Sequence, residues 1–468
     1  MTKLSFPPFH AEHIGSLLRP KELLVKRRDF DRGVVSEADL RFAEDEAIEQ
    51  AIALQLELGL SSITDGEFRR KAYSDSFTTD VFSGVIISST NDRNWTYSDV
   101  KGKISAGRVP VVVDKLEWPG PVNLKNFKFV AARAGEGIPK VTLPGPCYIH
   151  FRAGRENISR HIYPKLDGFW QDLISAYVKE INSLYVAGCR YIQLDETSIA
   201  KLGDPKIREG IKQRGEDWQD LLEVYTDVIN EILKHTPKDL AVGLHLCRGN
   251  KAGSWQAEGG YNDVAKKLFG KLHVQFYFLE FDSPRAGGFE PLREVPDNKM
   301  IIVAPGEYFE NITIPGPNYL TITSQSGPQT TIINGGGNGT VIKSTNSFNN
   351  LTLEGFTVTE GNGAIDFYFG NHITLRNLIV TGNNNGSVVI LTPENNTVEN
   401  VLIADNVNDE FSLNENQASA LYIIGNAGQN DTTAIINSTI VNNENFSGVV
   451  VQSQGQANNV VFFNTVVW

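Results

Sequence analysis

The pattern of apolar and polar positions changes character once along this chain. In SEADLRFAEDEAIEQAIALQLELG, Leu40, Ala43, Ala47, Ala51, Leu54 and Leu58 recur at spacings of three or four, which predicts a helix with one apolar stripe. Ser36 and Asp39 give a capping-box pattern at its start, and Gly59 ends it. The short strand-like segment SSITDGE follows, with Asp65 and Glu67 at its end. Three further pairs repeat the design. The helix FWQDLISAYVKEINSLYVAGC precedes the strand RYIQLDE, ending at Asp195 and Glu196. WQDLLEVYTDVINEILKH precedes DLAVGLHLC, and YNDVAKKLFGKL precedes VQFYFLEFD, with Glu280 near its end. Helix then strand, with polar residues collected at strand ends, predicts a parallel α/β sheet. Closed into a (β/α)8 TIM-type barrel, such units bring all those ends to one rim. An open doubly wound sheet satisfies the same pattern, although the first βα turn lacks the GxGxxG fingerprint.

Beyond Met300 the period shortens. GFTVTEGNG, NLIVTGNNNG, NVLIADN, NSTIVNN and NTVVW each open on Gly or Asn and continue as a β-branched run. The opening positions Gly355, Asn377, Asn400, Asn437 and Asn464 are 22, 23, 37 and 27 residues apart. Short strands at a loose period above twenty, punctuated by turn formers, predict coils of an all-β parallel β-helix. The Asn residues are expected to stack as ladders at the turns; the alternative is a direct role in sugar binding. Asp366, Asp405, Asp409 and Asp431 are too scattered along the sequence to suggest a calcium cluster.

Composition sharpens this division. Residues 1–300 hold 41 of the 43 Lys and Arg and 42 of the 55 Asp and Glu; residues 301–468 hold only Lys343 and Arg376 against 13 acids. Asn rises from 10 before the boundary to 29 after it. Two domains are therefore expected, at 1–300 and 301–468. The net charge of -12 argues against a nucleic-acid partner, which needs clustered cations. No window approaches the roughly 18 to 20 apolar residues of a membrane helix. The start MTKLSFPPFHAEH has no apolar core like that of a secretory leader. With three cysteines, too few for a disulfide framework, a reducing cytoplasm is the expected compartment.

Candidate chemistry centres on GLHLCRGN. His245 and Cys247 alternate on one strand and so share a face. With Glu280 from the next strand they offer one nitrogen, one sulfur and one carboxylate, a set zinc accepts while leaving a position for substrate. The competing reading is a buried cysteine beside a satisfied histidine. Cys147, in a PGPC turn, and Cys189, ending a helix, read as structural.

The ordered motifs HIGSLLRP, TDGEFRR, LPGPCYIHFR, AGCRYIQLDE, HLCRGN, AEGGY, FLEFD and FEPLREVP resemble the cobalamin-independent methionine synthase family in its short, single-barrel form. The resemblance implies methyl transfer to the thiol of homocysteine, giving methionine. It also implies zinc on His245, Cys247 and Glu280, with homocysteine held near Ile14 and Ser16 and by Glu67 and Asp195. In that role Glu67 and Asp195 pair with the substrate ammonium and orient the sulfur. VAPGEYFENITI resembles the first coil of right-handed β-helix proteins of the pectin-lyase-like type.

Three departures qualify what the family implies. The long form carries an additional N-terminal barrel that helps bind its folate, and the methyltransferase motifs here amount to one barrel. The tryptophan that the long form uses against the pterin is replaced by the neighbourhood IHFRAG, which leaves open whether the donor is 5-methyltetrahydrofolate-like. No cysteine follows Cys247, so the family's fourth zinc ligand is missing and the barrel is expected to lack its last strand or strands. IIVAPGEY could add a strand to the edge thus left open. Two rival readings remain: alkyl transfer to a different thiol, and a non-catalytic fusion whose β-helix is a carbohydrate-binding or adhesive module.

Overall fold

A computed structural model describes residues 12–468 except 73, 75–76, 79–80, 89–95, 99–103, 107–108, 251–253, 282–283, 297–299, 304–305, 315–318, 325, 385–386, 393–394, 409–417, 426–431 and 454–458. The chain forms two units, the first running to Glu280 and including Arg285–Gly287, the second comprising Phe281–Pro284 and Gly288–Trp468. Residues 288–300, which sequence composition groups with the first part, therefore fold with the second. Their apolar side chains decide this, since Phe289 and Leu292 pack into the second unit's core.

The first unit is α/β. Five parallel strands, Ser62–Ile63, Ile138–Pro144, Tyr191–Asp195, Ala241–Leu246 and Phe276–Leu279, lie side by side in chain order as a curled half-barrel. A doubly wound sheet would reverse its strand order partway, and this one does not. The intervening helices include Glu37–Glu57, Leu166–Val186, Trp218–Lys234 and Asn262–Lys271. An antiparallel hairpin of Ser83–Ser88 with Val109–Glu117, which the sequence pattern does not announce, is inserted between the first two strands of the sheet.

Helix Glu37–Glu57 starts at the expected capping box: the Ser36 hydroxyl accepts from the Asp39 N–H at 3.1 Å, and the Asp39 carboxylate accepts from the Ser36 N–H at 3.0 Å. Its buried face differs from the predicted stripe. Leu54 and Leu58 are exposed, while Ile48, Ile52 and Gln55 are buried. Gln55 is there because it bonds both ways to the Thr64 backbone, accepting the N–H at 2.9 Å and donating to the carbonyl at 3.0 Å. A hydrophobicity pattern cannot register a buried amide that is fully used.

The second unit consists, among the described residues, of parallel sheets of seven, seven and six strands and a two-stranded parallel pair, Phe348–Asn349 with Gly370–Asn371. Apart from that pair, strands go to the three larger sheets in rotation: Met300–Val303, Gly306–Phe309 and Ile312–Ile314, then Leu320–Ser324, Thr331–Asn334 and Ile342–Ser344, and so on. Met300–Val303 pairs in parallel with Leu320–Ser324, so the IIV segment is a strand of this unit and does not extend the barrel sheet. In the first of the three sheets Thr352, Thr374, Thr397, Ala434 and Val461 stack at steps of 22, 23, 37 and 27, the spacing read from sequence.

The punctuating residues have a conformational cause. Gly355, Asn377, Asn400, Asn437 and Asn464 all adopt left-handed φ between 46° and 85°, a region Asn tolerates better than other residues with a Cβ. Their amides stack between coils: Asn400 Nδ2 donates to Asn377 Oδ1 at 2.6 Å and Asn464 Nδ2 to Asn437 Oδ1 at 2.9 Å. A second, buried ladder joins Asn383, Asn406 and Asn443. Of the four aspartates, Asp405 binds the side chain of Asn442 and Asp366 caps the Tyr368 N–H; Asp409 and Asp431 lie outside the described residues. Among the described residues no helix is long and apolar enough to cross a membrane.

Candidate functional site

Strand register assembles the first part of the site. Asp195 pairs with His245 across the sheet, and one step beyond the next ladder, where Leu246 meets Leu279, come Cys247 and Glu280. His245 Nδ1 lies 3.0 Å from Asp195 Oδ1. The same oxygen accepts from Gln193 Nε2 at 2.6 Å, and Gln193 Nε2 also donates to the Ile14 carbonyl at 2.7 Å. Ile14, Gln193, Asp195 and His245 thus form one connected series. Ser16, on the same N-terminal segment, is exposed.

Electrostatics extend the series to Cys247. Burial works against charge on both partners, yet each sustains the other. The cysteine sulfur and Asp195 move the imidazole up to about 10, and His245 with Lys201 holds the thiol below the usual cysteine range. Each partner thus favours the charged form of the other. Lys201 is buried, donates to the Thr197 hydroxyl at 3.0 Å, and is pushed down to about 8 by its burial. Sequence reasoning overlooked both Gln193 and Lys201. The signal for Gln193 was its place two residues before Asp195 on the same strand face; Lys201, the last residue of the short helix Thr197–Lys201, carried no such signal, since only packing buries it.

Glu67 arrives from a loop rather than a strand. Arg19 binds its carbonyl at 2.8 Å, Arg27 binds the Arg70 carbonyl at 2.8 Å, and Glu67 itself takes a left-handed φ of 59°. Such a conformation is uncommon for a side chain of this size and persists only where the surroundings enforce it. The carboxylate accepts from Thr142 Oγ1 at 3.3 Å and lies 3.5 Å from Arg70 Nη1. Burial raises its pKa, the Asp195 charge adds to the rise, and Arg70 opposes it. The Asp195 charge therefore reaches the Glu67 carboxyl, which places the two acids in one electrostatic neighbourhood.

Glu280 is engaged differently. Its Oε2 accepts from the Arg248 backbone N–H at 2.8 Å and lies 3.3 Å from Arg248 Nη1; its Oε1 accepts from Arg285 Nη2 at 2.8 Å. Although burial would raise its pKa, these donors outweigh it and keep the carboxyl ionised below its usual range. Among the described residues no group of three His, Cys, Asp or Glu side chains is gathered as a metal would require. His245 and Cys247 suit zinc once the imidazole gives up its Nε2 proton: the carboxylate on Nδ1 leaves Nε2 as the coordinating atom, and the sulfur is biased toward thiolate. Glu280 suits it only after parting from Arg285.

The remaining polar strand-end residues have structural duties. Glu196 accepts from the Cys147 N–H at 3.0 Å and the Ser198 N–H at 2.9 Å, tying the PGPC turn to the next strand's end. Gly145 is required in that turn, because a Cβ there would stand 2.4 Å from Glu196 Oε2. Cys147 and Cys189 are both buried, and burial pushes their thiols up, Cys189 to about 12.

Residues 9–254 match the family described as cobalamin-independent synthase, catalytic domain, a span that holds His245 and Cys247 but stops short of Glu280. The uncharacterized protein YxjH of Bacillus subtilis is 34% identical over 298 residues, 63% of this chain and 76% of that one. The 5-methyltetrahydropteroyltriglutamate–homocysteine methyltransferase of Thermosynechococcus vestitus is 26% identical over 244 residues, 52% of this chain but 29% of the enzyme. A crystal structure of a putative vitamin-B12-independent methionine synthase from Listeria monocytogenes superposes with a TM-score of 0.50 at 30% identity, covering 69% of this chain and 81% of that one. With the match spanning more than half of its length, the chain belongs to the cobalamin-independent synthase catalytic-domain family.

Proposed function

We propose that the first unit is a TIM-type barrel domain that transfers a methyl group to the thiol of homocysteine, giving methionine. The observation that supports this reading best is the Asp195–His245 contact beside a cysteine held toward thiolate. Zinc would be held by His245, Cys247 and Glu280. Bound there, it would lower the substrate thiol's pKa and leave a thiolate nucleophile at neutral pH. The chain's own residues supply the rest. Asp195 and Glu67 take the substrate ammonium, while Gln193 keeps Asp195 and the Ile14 carbonyl fixed against each other. Ile14 and Ser16 line the same approach. Holding the amino acid at these points orients its sulfur for in-line attack. Methyl donor candidates are 5-methyltetrahydrofolate derivatives and simpler methylated compounds, and a different thiol acceptor is the nearest alternative. The cytoplasm is the compartment we propose.

We read the second unit as a right-handed parallel β-helix joined to that barrel; the rotation of strands through three sheets and the left-handed Asn corners support the reading. A second function, a non-catalytic protein whose β-helix binds carbohydrate or acts as an adhesive, is favoured by one observation: Glu280 is already neutralised by Arg285. Metal analysis of the purified chain, with turnover of homocysteine against several methyl donors, distinguishes them. Stoichiometric zinc and methionine formation are expected; a metal-free protein inert toward every donor would leave the non-catalytic reading.

A further inference from the structure

The second unit contains a cavity of about 350 Å³ within its first coils. Ile333, Leu353 and Phe356 form buried walls, and Ile301, Ile312 and Ile322 line it closer to solvent. Further along, the same interior is filled: Phe367, Leu375, Leu391 and Leu421 are fully buried within one core cluster. This open volume lies among the early coils. It lies at the lower end of the roughly 300–1,000 Å³ that small-molecule sites occupy.

We propose that this cavity is a binding site for a neutral, mainly hydrocarbon small molecule. Apolar walls give water no hydrogen-bond partners, and an unfilled apolar cavity forfeits the packing contacts of every atom that lines it. Charge on the occupant is disfavoured by the polar residues present. Arg293 Nε lies 3.3 Å from Glu294 Oε1, with both side chains partly in solvent, so this pair balances itself and directs no net charge inward. Thr313 is exposed and offers a hydroxyl at the rim, which suits an occupant carrying one terminal hydroxyl.

The test uses the full chain and the neutral fluorophore N-phenyl-1-naphthylamine, displaced by 1-decanol or by decanoate. Saturable binding at one probe per chain is expected, with 1-decanol displacing it at lower concentration than decanoate and raising the melting temperature. Ile333→Phe and Leu353→Phe fill the space and should weaken probe binding by about tenfold or more while the variant still melts cooperatively. The melting shift of the parent protein requires no variant and stands if either substitution prevents folding. Absence of saturable binding, unchanged affinity in both folded variants, or tighter binding of decanoate than of 1-decanol overturns the proposal.

Discussion

His245 Nδ1 and Asp195 Oδ1 lie 3.0 Å apart across adjacent parallel strands, so the carboxylate fixes which imidazole nitrogen remains to coordinate a metal. Carboxylates that hold a metal-ligating imidazole by its other nitrogen typically change metal affinity or activity by about 10–100-fold when removed. Asp195→Asn is expected to weaken zinc binding by a factor in that range and to raise the KM for homocysteine. Chelator competition measures the first effect and steady-state kinetics the second. Zinc affinity equal to the parent's would dissociate Asp195 from the metal.

Arg285 competes for the third proposed ligand. Its Nη2 donates to Glu280 Oε1 at 2.8 Å, whereas the Arg248 contacts fall on Oε2. Arg285→Gln should free one carboxylate oxygen and raise zinc affinity, and Glu280→Gln should abolish that gain. His245→Ala or Cys247→Ser should remove stoichiometric zinc altogether. If Arg285→Gln leaves the dissociation constant where it was, Glu280 is not a ligand.

Glu67 trades stability for ligand binding. Its folded-state pKa is raised by burial, so through the window between the unfolded and folded values the native state binds more protons than the unfolded one. Stability therefore falls as pH rises through that window, and the cost persists above it. Glu67→Gln, a mimic of the protonated form, should match the parent at acid pH and melt higher at neutral pH, while binding the amino-acid substrate more weakly. A neutral-pH melting temperature below the parent's would contradict the sign.

The two asparagine ladders should respond differently to mutation. Buried Asn406 donates to the Val380 and Ala404 carbonyls and to Asn443 Oδ1, and accepts from the Asn383 N–H. Asn406→Leu leaves several of these groups unmet, at about 1–3 kcal/mol for each buried donor or acceptor. Asn437, at a left-handed corner with φ 49°, should tolerate Gly with little change and lose about 1–2 kcal/mol as Val. Urea unfolding followed by far-UV circular dichroism distinguishes the two cases. Equal losses for Asn406→Leu and Asn437→Gly would mean the buried ladder carries no special weight.

Local pattern was sufficient wherever a residue's role depends on its immediate neighbours. The capping box at Ser36 and Asp39, the order of helices and strands, and the Gly and Asn corners at 355, 377, 400, 437 and 464 all follow from short-range backbone preferences visible along the chain. Alternation on a strand likewise put His245 and Cys247 on one face. Tertiary structure alone decided the rest, because partners distant in sequence set the outcome. Gln55 is buried since Thr64 satisfies it, Gln193 matters since it spans Ile14 and Asp195, and Glu280 meets Arg285 where sequence offered it to a metal. The junction moved for the same reason: composition changes near residue 300, but Phe289 and Leu292 follow the core that buries them.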